Sequence, residues 1–283
     1  MKPIEEMADI IELQAWAGNR SVTLSGLKEE LESALDSDDK EEAAVKAQNL
    51  LDTFSSRKQL LGSAYPFETD GYRLEVSPGD PSHTTYIFCL ALSLLPPSRI
   101  QHENRCIQFE TVVMNAAKGF FGGEALRIGA PWATHDITEY GMLLDKVIDM
   151  IPDLGDKLQE VAPEGGDAGW DVLIVKNFSD NLFPRFVALG NCATGRTDWK
   201  RKGMETMPGL FWSYFQGQHR STFITFFAVP YTMDRNARLR KYHETLITFD
   251  RFRICEHAPK TPHVETKHWL ELQREAALEI ALN

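Results

Sequence analysis

Gly165–Val175, GGDAGWDVLIV, followed after a short gap by Arg185–Lys202, RFVALGNCATGRTDWKRK, is the pair of segments on which the fold turns. A glycine-rich opening leads to Asp171 and then to an unbroken aliphatic and β-branched run, the pattern of a strand. The second segment carries another such run, FVALGNCA, so two strands are expected close together. An aspartate placed directly before VLIV is costly to bury unless a cation or a metal meets it, and this marks Asp171 as a functional candidate.

Working outward, Gln101–Ala117 carries Ile107, Phe109, Val112, Val113 and Ala116 at helical spacing, with Glu110 inside it and an exit at Gly119. Ile137–Ile151 reads as a second helix with Tyr140, Leu143, Leu144, Val147 and Ile148 on one face. Beyond the two strands, DWKRKGMETMPGLFWSYF predicts an interrupted helix whose Phe211, Trp212, Tyr214 and Phe215 suit core packing or a partner interface. TFITFFAV and TLITFDRFRI read as further strands flanking a basic helix, DRNARLRKYHE, and VETKHWLELQREAALEIAL reads as a C-terminal helix. This order predicts an α/β fold with a mixed central sheet flanked by helices.

Ahead of that region, Ile4–Leu61 is helical in pattern, and a turn-rich stretch around Pro66–Pro81 carries a possible strand, YRLEV. The expected organisation is a small helical N-terminal domain over 1–80 and an α/β domain over 81–283. TYIFCLALSLL reads as a buried helix or strand. At Tyr86–Leu95 the longest apolar run is too short for a bilayer, and the acidic start MKPIEEMADIIE does not resemble a basic signal peptide, so no membrane partner and a cytoplasmic location are expected. Cys89, Cys106, Cys192 and Cys255 show no metal-ligand spacing, which argues against structural zinc.

The net charge of −11 is unevenly spread. Met1–Asp80 holds 17 acids and 8 bases, whereas Phe186–Lys260 holds 12 bases and 6 acids. The second half therefore has the local positive charge that phosphate contacts need. Arg196, Lys200, Arg201, Arg238, Arg240 and Arg251 are the candidates for nucleic acid, although a solvated basic face explains such residues equally well.

A divalent cation such as Mg²⁺ needs oxygen ligands gathered from carboxylates and a backbone carbonyl. An aspartate opening one strand, a ligand on the next, a lysine and a glutamate from a preceding helix make such a site. Gly166, Asp167, Gly169 and Asp171 resemble the GDxGxD turn of the PD-(D/E)XK, restriction-endonuclease-like superfamily, most closely its Mrr-like branch. The resemblance implies a restriction-endonuclease-like fold and a Mg²⁺- or Mn²⁺-dependent DNA endonuclease. Its metal would be held by Glu110, Asp171 and the Cys192 backbone carbonyl. Asn191 and Ala193 stand where the family has Gln or Glu and Lys. Asn191 would complete the catalytic set, with Lys200 as replacement lysine and Lys202 and Lys176 as weaker ones. That departure leaves open a catalytically inactive subunit serving DNA binding or complex assembly. AYPFE, YIFCLALS and the FE-containing helix, together with the GDxGxD and NCATG segments, extend the likeness to bacterial phage-defence proteins, which implies a protein partner from the same system; many nucleases of this class cut both strands as dimers, which allows a homodimer.

Overall fold

The structure, a computed structural model, describes residues 2–35, 40–77, 79, 83–95, 102–130, 140–158, 169–180, 184–195, 208–217, 222–233, 247–260 and 264–280. It divides into two compact units, one formed by residues 1–101 with 260–283 and the other by residues 102–259. The boundary expected at residue 80 therefore moves to about residue 101, and the last helical stretch, expected in the α/β domain, belongs to the first unit.

The first unit opens with α1 (Ile4–Gly18), β1 (Val22–Thr23), α2 (Leu24–Leu35) and α3 (Lys40–Leu61). It continues through β2 (Phe67–Thr69), β3 (Arg73–Val76) and α4 (His83–Leu94). The three strands form a small antiparallel sheet in the order β1-β3-β2, so YRLEV is a strand and TYIFCLALSLL resolves as a helix. No helix of the described residues is long and apolar enough to cross a membrane.

Helix α1 is buried nearly all round, including two acids, Asp9 and Glu12. Arg57 of α3 answers both: its Nη1 lies 3.0 Å from Asp9 Oδ1 and 2.9 Å from Glu12 Oε2, while Nη2 reaches Glu5 Oε2 at 2.6 Å. Tyr65 and Tyr86 donate to the two Glu12 oxygens at 2.5 and 2.7 Å. Burial pushes the Glu12 carboxyl above its ordinary range; Arg57 and the tyrosines oppose that, and Asp9 reinforces it.

A carboxyl raised on folding favours the native state most when protonated. Its contribution is complete below the ordinary value of 4.5 and is lost as pH rises through the raised folded value. Glu12→Gln is therefore expected to flatten this component of the pH dependence. Denaturant titrations of both proteins between acid and neutral pH measure it, and parallel stability profiles contradict it.

The second unit begins with α5 (His102–Phe121), β4 (Glu124–Arg127) and α6 (Tyr140–Met150), followed by β5 (Val172–Lys176) and β6 (Phe186–Cys192). Then come α7 (Pro208–Trp212), β7 (Thr222–Ala228), β8 (Ile247–Phe249) and α8 (Arg251–His257). Among the described residues five strands form one sheet in the order β4-β5-β6-β7-β8. The β4–β5 and β5–β6 pairs are antiparallel and the β6–β7 and β7–β8 pairs parallel, which makes the α/β fold with a mixed sheet that the sequence predicts.

Leu173, Val175, Val187 and Leu189 form one core with Tyr140, Leu143, Leu144 and Val147 of α6. Phe211, Tyr214 and Phe215 join it, as core packing requires of them. Each large apolar side chain so buried stabilises the fold by about 1.5–3 kcal/mol.

Two expected element ends shift. Helix α5 passes Gly119 and stops at Gly122. A Cβ on Gly119 would lie 2.1 Å from the His257 carbonyl oxygen, so this glycine permits a backbone crossing with α8 and is not a helix stop. The run TLITFDRFRI is not one strand: β8 ends before Asp250, whose side chain accepts from Arg253 N at 3.3 Å and caps α8. Helices α9 (Val264–Leu272) and α10 (Arg274–Leu278) complete the first unit, where α10 packs on α1, Gln14 Nε2 donates to Ile280 O at 2.6 Å and Arg274 stacks 4.6 Å over Trp16.

Candidate metal centre

Asp171 immediately precedes β5 and belongs to its pairing. Its backbone carbonyl accepts from Ile128 and Gly129 at 2.8 and 3.2 Å, and its amide donates to Gly190 O at 2.8 Å. These bonds join the C-terminal end of β4, the opening of β5 and the C-terminal end of β6. The side chain is fixed as well, since Oδ2 accepts from Cys192 N at 2.5 Å. Trp170 beside it is fully buried and Asp171 itself is 9 % exposed.

Glu110 comes to the same place from α5. Phe109 and Val113 of that helix are buried in the core, and Glu110, only 6 % exposed, reaches the strand ends. Its Oε2 accepts from Arg127 Nη1 at 2.7 Å, and the same nitrogen donates to the Gly129 carbonyl at 2.6 Å. Glu110 and Asp171 are thus two buried acids at one place, with the Arg127 guanidinium paired to the first of them.

Gly129 defines the space between the two acids. A Cβ built on it would lie 2.7 Å from Glu110 Oε2 and 2.8 Å from Asp171 Oδ1. Both oxygens thus converge over Gly129, crowding the place that a side chain there would take, an approach that glycine permits. Gly129→Ala is expected to fold, because the carboxylate ends can give way, but to cost about 10–100-fold in Mn²⁺ affinity by splaying them. Calorimetric titration with Mn²⁺ checks this; an alanine variant that binds as well as wild type shows that the convergence of the two oxygens over Gly129 does not make the binding site.

Asn191, on β6, is 6 % exposed, and its Nδ2 donates to the Gly169 carbonyl, clamping the turn ahead of Asp171. Its Oδ1 has no hydrogen-bond partner among the described residues. This buried acceptor and the Gly129 gap are what a hard cation with oxygen ligands would use. The Cys192 amide is taken by Asp171; in a strand the carbonyl leaves the chain on the same edge as its amide, so it too faces β5. Ala193, in the family's lysine position, packs with Phe227, Val229, Tyr231 and Met233. A second buried guanidinium, Arg105 of α5, approaches Thr194 Oγ1 at 3.5 Å, and burial holds it below the usual arginine range.

Two candidates fall away. Lys176 stands at the far end of β5, its Nζ against Gly122, roughly 17 Å along the strand from Asp171 at about 3.3 Å per residue. Arg251, expected to meet nucleic acid, has no exposed surface; its Nε donates to the Pro230 carbonyl at 3.1 Å. Helical spacing with Ile254 and Cys255 turns it inward. Lys200, Arg196, Arg201, Arg238, Arg240, Lys202, Gly166 and Asp167 lie outside the described residues.

The sequence reading missed Arg127 and Gly129. The one usable signal was proximity to Glu110, but β4 is four residues of mixed polarity and reads as loop. Among the described residues no group of three or more His, Cys, Asp or Glu side chains could hold a metal, so a centre here would draw on the two carboxylates with amide and backbone oxygens. No family model, curated protein or solved structure matches the chain.

Proposed function

We propose that the second unit is a Mg²⁺- or Mn²⁺-dependent nuclease that hydrolyses phosphodiester bonds of DNA in the bacterial cytoplasm. The observation that carries this reading is the convergence of Glu110 Oε2 and Asp171 Oδ1 on the gap at Gly129. The order of elements supports it: a helix bearing an acid, two antiparallel steps with the second acid at a strand opening, then a parallel step.

In this reading Glu110 and Asp171 bind the metal, and Asn191 Oδ1 and the Cys192 carbonyl complete its oxygen ligands. Such an ion, when bound, supplies an activated water and neutralises charge on the phosphate. The bond from the Cys192 amide to Asp171 Oδ2 sets the direction in which Oδ1 meets Glu110 Oε2. Lys200, by the family likeness, steadies charge on the attacking water or the phosphate.

A supercoiled plasmid incubated with the protein and Mg²⁺ or Mn²⁺ tests the reading. Nicking or linearisation that stops with EDTA is expected, and cleavage that continues unchanged in EDTA overturns metal dependence. The burial of Ala193 in an apolar cluster, where the family has lysine, favours a second reading as a catalytically inactive DNA-binding or assembly subunit. Plasmid retardation without cleavage under any divalent ion selects that alternative.

A further inference from the structure

We propose that Arg127 is the resident counter-cation of this carboxylate pair, and that a divalent ion binds only by displacing its guanidinium from Glu110. The inference rests on the metal-centre reading and adds to it a competition between a side chain of the protein and the ion.

Three observations lead to it. The Glu110 oxygen that Arg127 holds at 2.7 Å is Oε2, the same oxygen that borders the Gly129 gap. Arg127 Nη1 is tied at 2.6 Å to the carbonyl of Gly129, the residue whose missing side chain makes the gap. Both Arg127 and Glu110 are more than nine-tenths buried, where water screens little.

The pairing suits arginine. A guanidinium is weakly hydrated and always charged, so it can neutralise a buried acid where an ammonium or a titrating histidine would do so less well. Without a cation, Glu110 and Asp171 would be two buried like charges converging on one volume, which is unfavourable. With a dication seated there, Arg127 Nη1 would face it across a shared oxygen and be repelled. The two cations therefore exclude one another, and the apparent affinity for metal is reduced by the fraction of molecules in which Arg127 holds Glu110. Such a centre stays ordered and metal-poor at low ion concentration.

Calorimetric titration with Mn²⁺ of wild type, Arg127→Met, Arg127→Gln and Asp171→Asn tests the exchange without any cleavage assay. The expected result is roughly tenfold tighter Mn²⁺ binding in the Arg127 variants, the size of an ordinary coupling between competing ligands. Arg127→Gln retains an amide donor for Glu110 and Gly129 and supplies the measurement where Arg127→Met does not fold without metal.

Equal or weaker binding in folded Arg127 variants, with binding lost in Asp171→Asn, overturns the exchange and leaves Arg127 as a holder of the Glu110 side chain. Mn²⁺ binding unchanged in Asp171→Asn, or undetectable in every protein, overturns the metal-centre reading as well.

Discussion

Asp171→Asn is expected to cut Mn²⁺ affinity by roughly 10²-fold or more, beyond the loss typical of changing a residue that only supports a ligand, and to abolish plasmid nicking with it. The substitution isolates charge from shape. Asparagine retains an oxygen able to accept from Cys192 N, as Asp171 Oδ2 does at 2.5 Å, and the backbone bonds at residue 171 involve no side-chain atom. What disappears is the negative charge of the oxygen facing the Gly129 gap. With it goes the repulsion between two buried carboxylates that converge over Gly129, so the variant should melt at or above the wild-type temperature in the absence of metal. Calorimetry, nicking and a melting curve on one preparation check all three parts. Nicking at the wild-type rate would remove Asp171 from the site.

Arg57→Met is expected to destabilise the first unit by about 3–5 kcal/mol, the usual consequence of stranding a buried charge by removing its partner. Arg57 is 2 % exposed and stands between Asp9 and Glu12, which are 2 % and 0 % exposed. Methionine fills much of the arginine volume, so the loss is electrostatic more than steric. Tyr65 and Tyr86 still donate to Glu12, but Asp9 and Glu12 then repel each other without mediation. Burial, which already raises the Glu12 carboxyl, prevails once Arg57 is gone, so the variant is expected to lose less stability at acid pH than at neutral pH. Denaturant unfolding at two pH values measures this. A loss below 1 kcal/mol at neutral pH, the scale of an exposed ion pair, would show that water reaches the cluster.

Asp171 was legible in the sequence because physical chemistry makes an acid beside four aliphatic residues conspicuous. The same signal was present at Glu12, among Ile10, Ile11 and Leu13, but was obscured by the acidity of the whole N-terminal region, which reads as a solvated helical face. Strands β5 to β7 were legible as β-rich runs. Strand β4 was not, since EALR has no alternation, and with it went Arg127, whose importance comes from a neighbour seventeen positions away in sequence. At Asp250 a cap outweighed the β-forming character of the aromatic residues on either side. Arg251 shows why a count of basic residues is a poor guide to a phosphate-binding face: helical phase decides which of them reach solvent.

The closure of the first unit by α9 and α10 sets an order of events during synthesis. Residues 1–101 leave the ribosome well before their partners after Lys260, while residues 102–259 emerge as one continuous piece. Domains form as their chains become complete, so the sheet-bearing unit is free to fold first, and α1 waits for α10 with part of its apolar surface uncovered. A released chain that ends at residue 259 should accordingly protect the β4–β8 sheet from protease while leaving the N-terminal helices open to cleavage.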